Sequence, residues 1–363
     1  MFRLKKFDFF LFLPAVFLLG LSLITIASVS AGSFQTHLVY ILISLVFFLL
    51  FSLIDIEILL PLSPFIYVFC LVFLSLPLLV GTVTRGAVRW IPIAGFTIQP
   101  SEFVKPFLAL FCAWFWRSNN FSGKRMGLFF FLFLPILILI FLQPDLGSTA
   151  VVFSLFLAAS LSLKKISLRQ ILGLILGFSL ILPLFWFFLK DYQRLRVIHF
   201  INPYADPLGE GYNLIQAKIA VGSGGFMGRG IGKGTQSHLA FLPERQTDFI
   251  FASLAEELGW LGCLAILGVY FFLFRRILKI AEIFQSENQA VFPFFILTLC
   301  LFCSLCFQTV VNIAMNIGLL PITGVTLPLI SYGGSSLSST MISLGIVQSL
   351  WIGQKTKDAM EIS

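Results

Sequence analysis

Two short stretches gather the side chains best suited to group-transfer chemistry. In the first, Leu242-Pro243-Glu244-Arg245-Gln246-Thr247-Asp248 runs directly into an apolar segment that begins at Phe249. Thr247 or Asp248 can cap the helix that starts there. Asp248 also has a second reading, as a general base at the mouth of a low-dielectric site. In the second, Gln99-Pro100-Ser101-Glu102 precedes Lys105. Pro100 suits the first position of a helix, and Glu102 then lies in a first turn that favours a carboxylate. Glu102 and Lys105 share a helix face at i, i+3, either as a local ion pair or as part of a site. Glu256 and Glu257 follow Asp248 by eight and nine residues, roughly 12–13 Å along a helix. They read as packing and hydrogen-bonding groups, beside Gly259 and Gly262, which permit close helix contacts.

The elements that must carry these groups are membrane helices. Hydrophobic residues make up 58% of the 363-residue chain, charged residues 11%, and Phe alone accounts for 44 positions. A soluble fold has too little interior for that much apolar surface, so lipid is the expected solvent. A span takes roughly 20 apolar residues. The expected spans are 7–30, 36–60, 62–81, 102–117, 127–143, 146–163, 169–190, 249–276, 291–318 and 335–354. The expected fold is an all-α integral membrane protein, a single domain over 1–363 with about ten transmembrane helices. The first stretch reads as a span rather than a cleaved signal, because its apolar run exceeds a signal core.

Positive residues favour cytoplasmic loops, and with both termini placed inside most of the 24 Lys and Arg fall there. The others, Arg85, Arg89, Lys105, Lys190, Arg194, Arg196, Lys218, Arg229, Lys233 and Arg245, fall on the outer side. Acidic residues gather there too, Asp145 and Asp206 among them. Arg85 and Arg89 sit in a short outer loop, 81–105, expected to be irregular from its Gly and Pro content. The long hydrophilic stretch 190–248 is expected to be an extracytoplasmic loop. Its glycines, from Gly222 to Gly234, either bring backbone N–H groups close to an anion or make a flexible linker. No lysine stands in register for a nucleotide P-loop. The net charge of +8 is divided between topology signals and the outer surface and does not point to nucleic acid.

Six cysteines include Cys300, Cys303 and Cys306. Their i, i+3, i+6 spacing inside an apolar span spreads them along a helix face, which argues against an iron–sulfur site. No cysteine lies in the outer segments, so no disulfide framework is expected.

An ordered set of short motifs resembles the SEDS family (shape, elongation, division, sporulation) of bacterial cell-wall assembly. They are Arg85-Gly86-Ala87-Val88-Arg89-Trp90-Ile91, Gln99-Pro100-Ser101-Glu102 with Lys105, Gln143-Pro144-Asp145-Leu146-Gly147, and Tyr192 with Arg194 and Arg196. Further along come Asp206-Pro207-Leu208-Gly209, Ala220 through Gly225, Leu242 through Ala252, Glu256-Glu257-Leu258-Gly259, and Pro328-Leu329-Ile330-Ser331-Tyr332-Gly333-Gly334-Ser335. Arg245 makes the chain more similar to RodA-like members than to the division paralogue FtsW. Ala217 departs from the family, which usually has Ser there.

The resemblance implies a peptidoglycan glycosyltransferase of the inner (plasma) membrane that polymerises lipid II on its outer face. It also implies work beside a class B penicillin-binding protein and other cell-elongation proteins, and a divalent cation such as Mg²⁺ or Mn²⁺ whose ligands the sequence does not identify. Inversion at the anomeric carbon requires a base opposite the leaving group, and by resemblance and position Asp248 is the candidate. Lys105, Arg194, Arg196 and Arg89 are candidates for the diphosphate. Glu102 would orient Lys105 or bind metal, and Asp145 would shape the cavity. Glu244, Thr247, Glu256, Glu257, Ser331, Gly333 and Gly334 would support the site. A lipid II flippase, which needs polar groups along the whole membrane path, and a scaffold that recruits a transpeptidase are the competing readings.

Overall fold

The computed structural model describes all residues except 1–5, 85–86, 94–95, 119–121, 163–190, 208, 210, 240, 286–287, 289 and 362–363. The expected span 169–190, together with Arg85 and Lys190, lies outside the described residues. Helices cover each of the other expected spans: α1 (Phe9–Val29), α2 (Phe34–Leu53), α3 (Ile56–Leu59), α4 (Ser63–Val80), α5 (Pro100–Phe115), α6 (Gly123–Leu142) and α7 (Leu146–Leu161) in the first half. The second half holds α8 (Asp191–Ile201), α9 (Tyr212–Ser223), α10 (Thr235–His238), α11 (Ile250–Ile283), α12 (Phe292–Asn316) and α13 (Gly334–Glu361). Among the described residues, six helical segments are long and apolar enough to cross a membrane, and α7 is a shorter apolar helix.

Three expectations change in detail. The expected span 36–60 stops at Leu53, because the Asp55 carboxylate accepts the Glu57 N–H (3.1 Å) and starts the separate turn α3. The segment 81–98 is not irregular. It forms an antiparallel meander of β1 (Thr82–Thr84), β2 (Ala87–Ile93) and β3 (Phe96–Ile98), pairing Thr82 with Trp90 and Ile91 with Ile98. Its described strand positions include Thr82, Val83, Thr84, Val88, Ile91, Ile93, Thr97 and Ile98, β-branched residues that favour strands, and Pro92 is accommodated within β2 opposite Thr97. The fold is therefore not purely α. Finally, the stretch 191–248 carries α8, α9 and α10, and about half of its described residues are helical. Leu214, Ala217 and Ala220 recur at every third position on α9 and bury one stripe as that helix packs on α11.

The main core is a continuous apolar cluster drawn from all the long helices, with two small satellite clusters beside it. Helix α13 packs along α2 and also on α5, while α12 lies against α5, α7 and α11. The α13 contacts are close because its buried face is rich in Ser, and small residues let helix backbones approach in an apolar medium. These serines also bond across the interface: Ser335 Oγ accepts Gln99 N–H (2.9 Å), and Ser339 Oγ donates to Glu102 O (2.7 Å). At one end of the bundle, Arg276 on α11 donates to Asp8 (2.6 Å), whose other oxygen caps α1, and stacks on Trp351 of α13.

Helix α11 is broken at Gly259, which has φ 68° and ψ −167°. Irregular backbone inside a bundle is tolerated only where its polar groups find partners. Here the glycine-rich segment supplies them. Arg229 and Gly230 N–H donate to Glu256 O and Glu257 O (2.9 Å each), and Trp260 and Leu261 N–H donate to Gly225 O and Phe226 O (2.9 and 3.2 Å). A Cβ on Gly224 would sit 1.9 Å from Ala255 O, and one on Gly228 2.2 Å from Glu257 O. These glycines serve close backbone approach to α11, rather than an anion cradle or a flexible linker.

Candidate functional site

Asp248 lies in a turn that ends against α11. Neither it nor Thr247 caps that helix through its side chain: the capping position is Phe249, and Ala252 N–H donates instead to Asn316 Oδ1 (3.0 Å). The turn begins at Glu244, whose φ of 52° is uncommon for a residue with a Cβ. Glu244 O accepts the N–H groups of Thr247 and Phe249 (3.1 Å each), and Glu244 Oε2 accepts from Thr247 Oγ1 (3.0 Å). Arg245 Nε donates to Val29 O (3.0 Å), tying the turn to the end of α1.

Three successive carbonyls of this turn are held. Tyr332 N–H donates to Gln246 O (2.8 Å), and Ser331 Oγ donates to Thr247 O (2.6 Å). Asn312 Nδ2 and Asn316 Nδ2 both donate to Asp248 O (3.0 and 2.9 Å). Ser331 thereby joins the turn to the segment before α13. Gly334 starts α13 close against the Tyr40 ring, where a Cβ would meet ring carbons at 2.6 Å, and Gly333 O accepts Leu337 N–H in the first turn of that helix.

A cavity of about 240 Å³ opens beside Asp248. It is lined by Arg89, Pro144, Arg196, Asn213, Pro243, Glu244, Asp248, Phe249, Ile322 and Gly324. Two acidic residues from one turn thus line the same space as Arg89 from β2 and Arg196 from α8. Arg196 Nη1 also reaches Ile322 O at 3.4 Å. Arg194 is not among the lining residues, since positions two apart on a helix do not share a face.

Asp145 is buried behind Arg89, whose Nη1 lies 4.0 Å from Asp145 Oδ1. Asp145 caps α7 by accepting Ser148 N–H (3.0 Å), and it also accepts from Gln99 Nε2 (2.7 Å) and Ser101 Oγ (3.2 Å). It therefore fixes the start of α5, the start of α7 and the neighbourhood of Arg89 together. Lys105 and Glu102 are 3% and 7% exposed and form a 2.6 Å ion pair, with Lys105 also donating to Gln308 Oε1 (3.2 Å). Lys105 is thus part of the helix core and not of the cavity lining.

Glu256 accepts from Gln236 N–H, Ser237 N–H and Ser237 Oγ (2.9, 2.9 and 2.7 Å) and from Thr235 Oγ1, seating α10. Glu257 accepts from Ser28 Oγ and from Gly232 N–H (3.1 Å), linking α1 to the glycine-rich segment. Ala217, the departure from the family pattern, is fully buried with Leu242, Phe249 and Ala252, an apolar setting that needs no hydroxyl.

Among the described residues no three His, Cys, Asp or Glu side chains gather as a ligand set for a metal ion. The cysteines are free thiols. The residues that sequence reading missed are Gln308, Asn312 and Asn316, three amides at i, i+4, i+8 on α12. That spacing in a strongly apolar helix was a visible signal of one polar stripe.

Residues 4–356 match the FtsW/RodA/SpoVE family, described as cell cycle protein. The peptidoglycan glycosyltransferase MrdB of Escherichia coli K12 is 41% identical over 296 residues, 81% of this chain and 78% of that protein. A probable peptidoglycan glycosyltransferase FtsW of Wigglesworthia glossinidia brevipalpis is 35% identical, over 94% of this chain and 92% of that protein. In structure, a chain of a peptidoglycan synthase complex that coordinates polymerization and crosslinking aligns with a TM-score of 0.81 at 29% identity, covering 95% of this chain and 97% of that one. The rod shape determining protein RodA of Thermus thermophilus aligns with a TM-score of 0.71 at 26% identity, covering 95% and 96%. This multi-pass membrane chain belongs to the FtsW/RodA/SpoVE family, together with those peptidoglycan glycosyltransferases.

Proposed function

We infer that the chain is a peptidoglycan glycosyltransferase that polymerises lipid II into glycan strands. The observation that carries the site assignment is one cavity lined by Asp248 together with Arg89 and Arg196. A sugar 4-hydroxyl attacks the anomeric carbon of the donor, and the bond from that carbon to the diphosphate oxygen breaks with its electron pair leaving on undecaprenyl diphosphate. Asp248 takes the hydroxyl proton, and the α-linked donor becomes a β-linked product. Arg89 and Arg196 neutralise the charge that develops on the diphosphate, and charges already in place cost little reorganisation. Lys105, paired to Glu102, and Arg194 support that field from outside the lining. Asp145 keeps Arg89 in place, as their 4.0 Å separation allows.

A divalent cation, Mg²⁺ or Mn²⁺, belongs to the same proposal. Such ions bind one or two carboxylates and take the remaining ligands from phosphates and water, so an incomplete protein set suits them. Glu244 is the lining carboxylate that would hold the ion beside the diphosphate, and the ion would add positive charge there.

In this reading the domain crosses the inner membrane about ten times, with both termini in the cytoplasm and the cavity on the outer face. A class B penicillin-binding protein cross-links the product, in keeping with the synthase complex whose subunit this chain resembles. The service is cell-wall elongation and shape, in keeping with the similarity to MrdB and RodA.

The test is polymerisation of labelled lipid II by the purified protein with its class B partner, wild type against Asp248→Asn. The expected result is glycan chains from the wild type alone, with the variant folded and still binding lipid II. Full activity in Asp248→Asn would remove the base assignment, and a flippase or scaffold would tolerate the change.

A further inference from the structure

Helix α12 places Gln308, Asn312 and Asn316 one above another, about 5–6 Å apart along the axis. They are 2%, 0% and 0% exposed, inside a helix apolar and long enough to cross a membrane. Buried amides in such a helix are costly unless each finds partners. Each one does, and the partners share a destination.

Asn312 Nδ2 donates to Asp248 O (3.0 Å) and to Val325 O (2.7 Å). Asn316 Nδ2 donates to Asp248 O (2.9 Å) and Asn312 O (2.8 Å), while its Oδ1 accepts Ala252 N–H (3.0 Å). Gln308 Nε2 donates to Thr326 O (3.2 Å), and its Oε1 accepts from Lys105 Nζ (3.2 Å). One helix face therefore grips the backbone of Asp248 and the 325–326 segment beside Gly324, which lines the cavity, and it reaches the Lys105–Glu102 pair.

We propose that Asn312 and Asn316 are positioning residues for the reaction, acting through the backbone carbonyl of Asp248 to fix where its carboxylate stands. A helix interior is a stiffer reference than the turn it holds. Two donors on a single carbonyl restrain that turn in direction as well as in distance. An amide that served helix association alone would need only one partner on a neighbouring helix. Asn312 spends its donors on the Asp248 turn and on the cavity-lining segment instead. Misplacing a catalytic group by about 1 Å costs on the order of 100-fold in rate.

This inference rests on the reading of Asp248 as the base, and the experiment separates the two. Lipid II polymerisation is measured for the protein bound to its class B partner, with wild type, Asn312→Leu, Asn316→Ser and Asp248→Asn in one series. Each is also characterised for thermal stability, kcat, KM and the pH dependence of kcat. The expected result for the Asn variants is a kcat about 10- to 100-fold lower with KM within about threefold, and an acid limb of the pH profile displaced from that of the wild type. Wild-type kcat in a folded Asn312→Leu or Asn316→Ser protein overturns the proposal. So does a loss of activity that only tracks the folded fraction, with an unchanged pH profile, because that is the mark of a purely structural role. If Asn312→Leu does not fold, Asn316→Ser is judged by the same criteria. Asp248→Asn activity equal to wild type would sink the base reading and this inference with it. An inactive Asp248→Asn beside fully active Asn variants would sink this inference alone.

Discussion

The two sides of the cavity are built on different principles. On the carboxylate side, Asp248 stands in a turn whose carbonyls at 246, 247 and 248 are all held, by Tyr332, Ser331 and the α12 amides. On the cation side, Arg89 comes from a small sheet and Arg196 from the 11-residue helix α8. Arg196 reaches a backbone oxygen at 3.4 Å, and Arg89 approaches Asp145 at 4.0 Å. The contrast fits the two tasks proposed for these sides. A base must meet one hydroxyl in one geometry, whereas a diphosphate on a long lipid must enter, be held and leave. A turn held at three carbonyls suits the step in which a proton moves, and cations brought in from two separate elements suit a space that a charged group must enter.

The largest consequence of this contrast is at Asp248. Loss of a general base removes about 10²- to 10⁴-fold in rate, so Asp248→Asn should fall at or below detection in the polymerisation assay while the protein stays folded. A milder loss would mean that the rigid side is not the reacting side. The next consequence concerns Lys105, a cation of the core rather than of the cavity. Lys105→Met leaves the Glu102 carboxylate buried and uncompensated, a change that costs about 3–5 kcal/mol. A thermal unfolding measurement should show that loss, and adding Glu102→Gln should recover much of it. A stable Lys105→Met protein with a raised KM would instead move Lys105 to the substrate side of the comparison.

Smaller still is the effect expected on the cation side. Arg196→Ala should lower kcat/KM for lipid II by about 10- to 100-fold, the size of one charge-assisted contact of roughly 1.5–3 kcal/mol, divided between holding the diphosphate and stabilising the charge it gains in the transition state. The wild type should bind lipid II less tightly as salt rises, and Arg196→Ala should lose part of that dependence. Titrating substrate at two ionic strengths checks both. A loss as large as that of Asp248→Asn would show that Arg196 is as tightly positioned as the base, and the contrast would fail.

Much of this arrangement was legible in the residues. Apolar run lengths located the helices, because lipid forces backbone polar groups to pair within a segment. The motif around Glu244 and Asp248 marked the turn, and the i, i+3 spacing of Glu102 and Lys105 marked their pair. Other features depend on contacts far apart in sequence. The meander at 82–98 was hidden because Pro92, which reads as a breaker, pairs with Thr97 within a strand. The purpose of Gly224 and Gly228 depends on the break at Gly259, which local reading took for ordinary helix packing. Lys105 looked like a ligand for an anion until its partner Gln308, 203 residues away, came into view. Asn312 and Asn316 were passed over because amides carry no charge, and charge was the signal followed.

Gly324 tests the carboxylate side at the finest grain. It lines the cavity at φ +73°, and a Cβ there would lie 3.7 Å from Asp248 Oδ2, an ordinary van der Waals contact. Gly324→Ala therefore pushes on nothing directly, and its cost is the left-handed backbone, about 1–2 kcal/mol. Gly147 offers the opposite case: a Cβ there would fall 2.5 Å from Val325 Cγ2 and 2.7 Å from Thr323 O, so Gly147→Ala must displace the same 323–325 segment. A lower melting temperature with kcat within a few-fold of wild type is expected for Gly324→Ala, and a larger loss of kcat for Gly147→Ala. Comparable kcat losses at matched stability would mean that the segment moves as easily by strain as by collision. The α12 amides that bond Val325 O and Thr326 O would then not be holding that side of the cavity still.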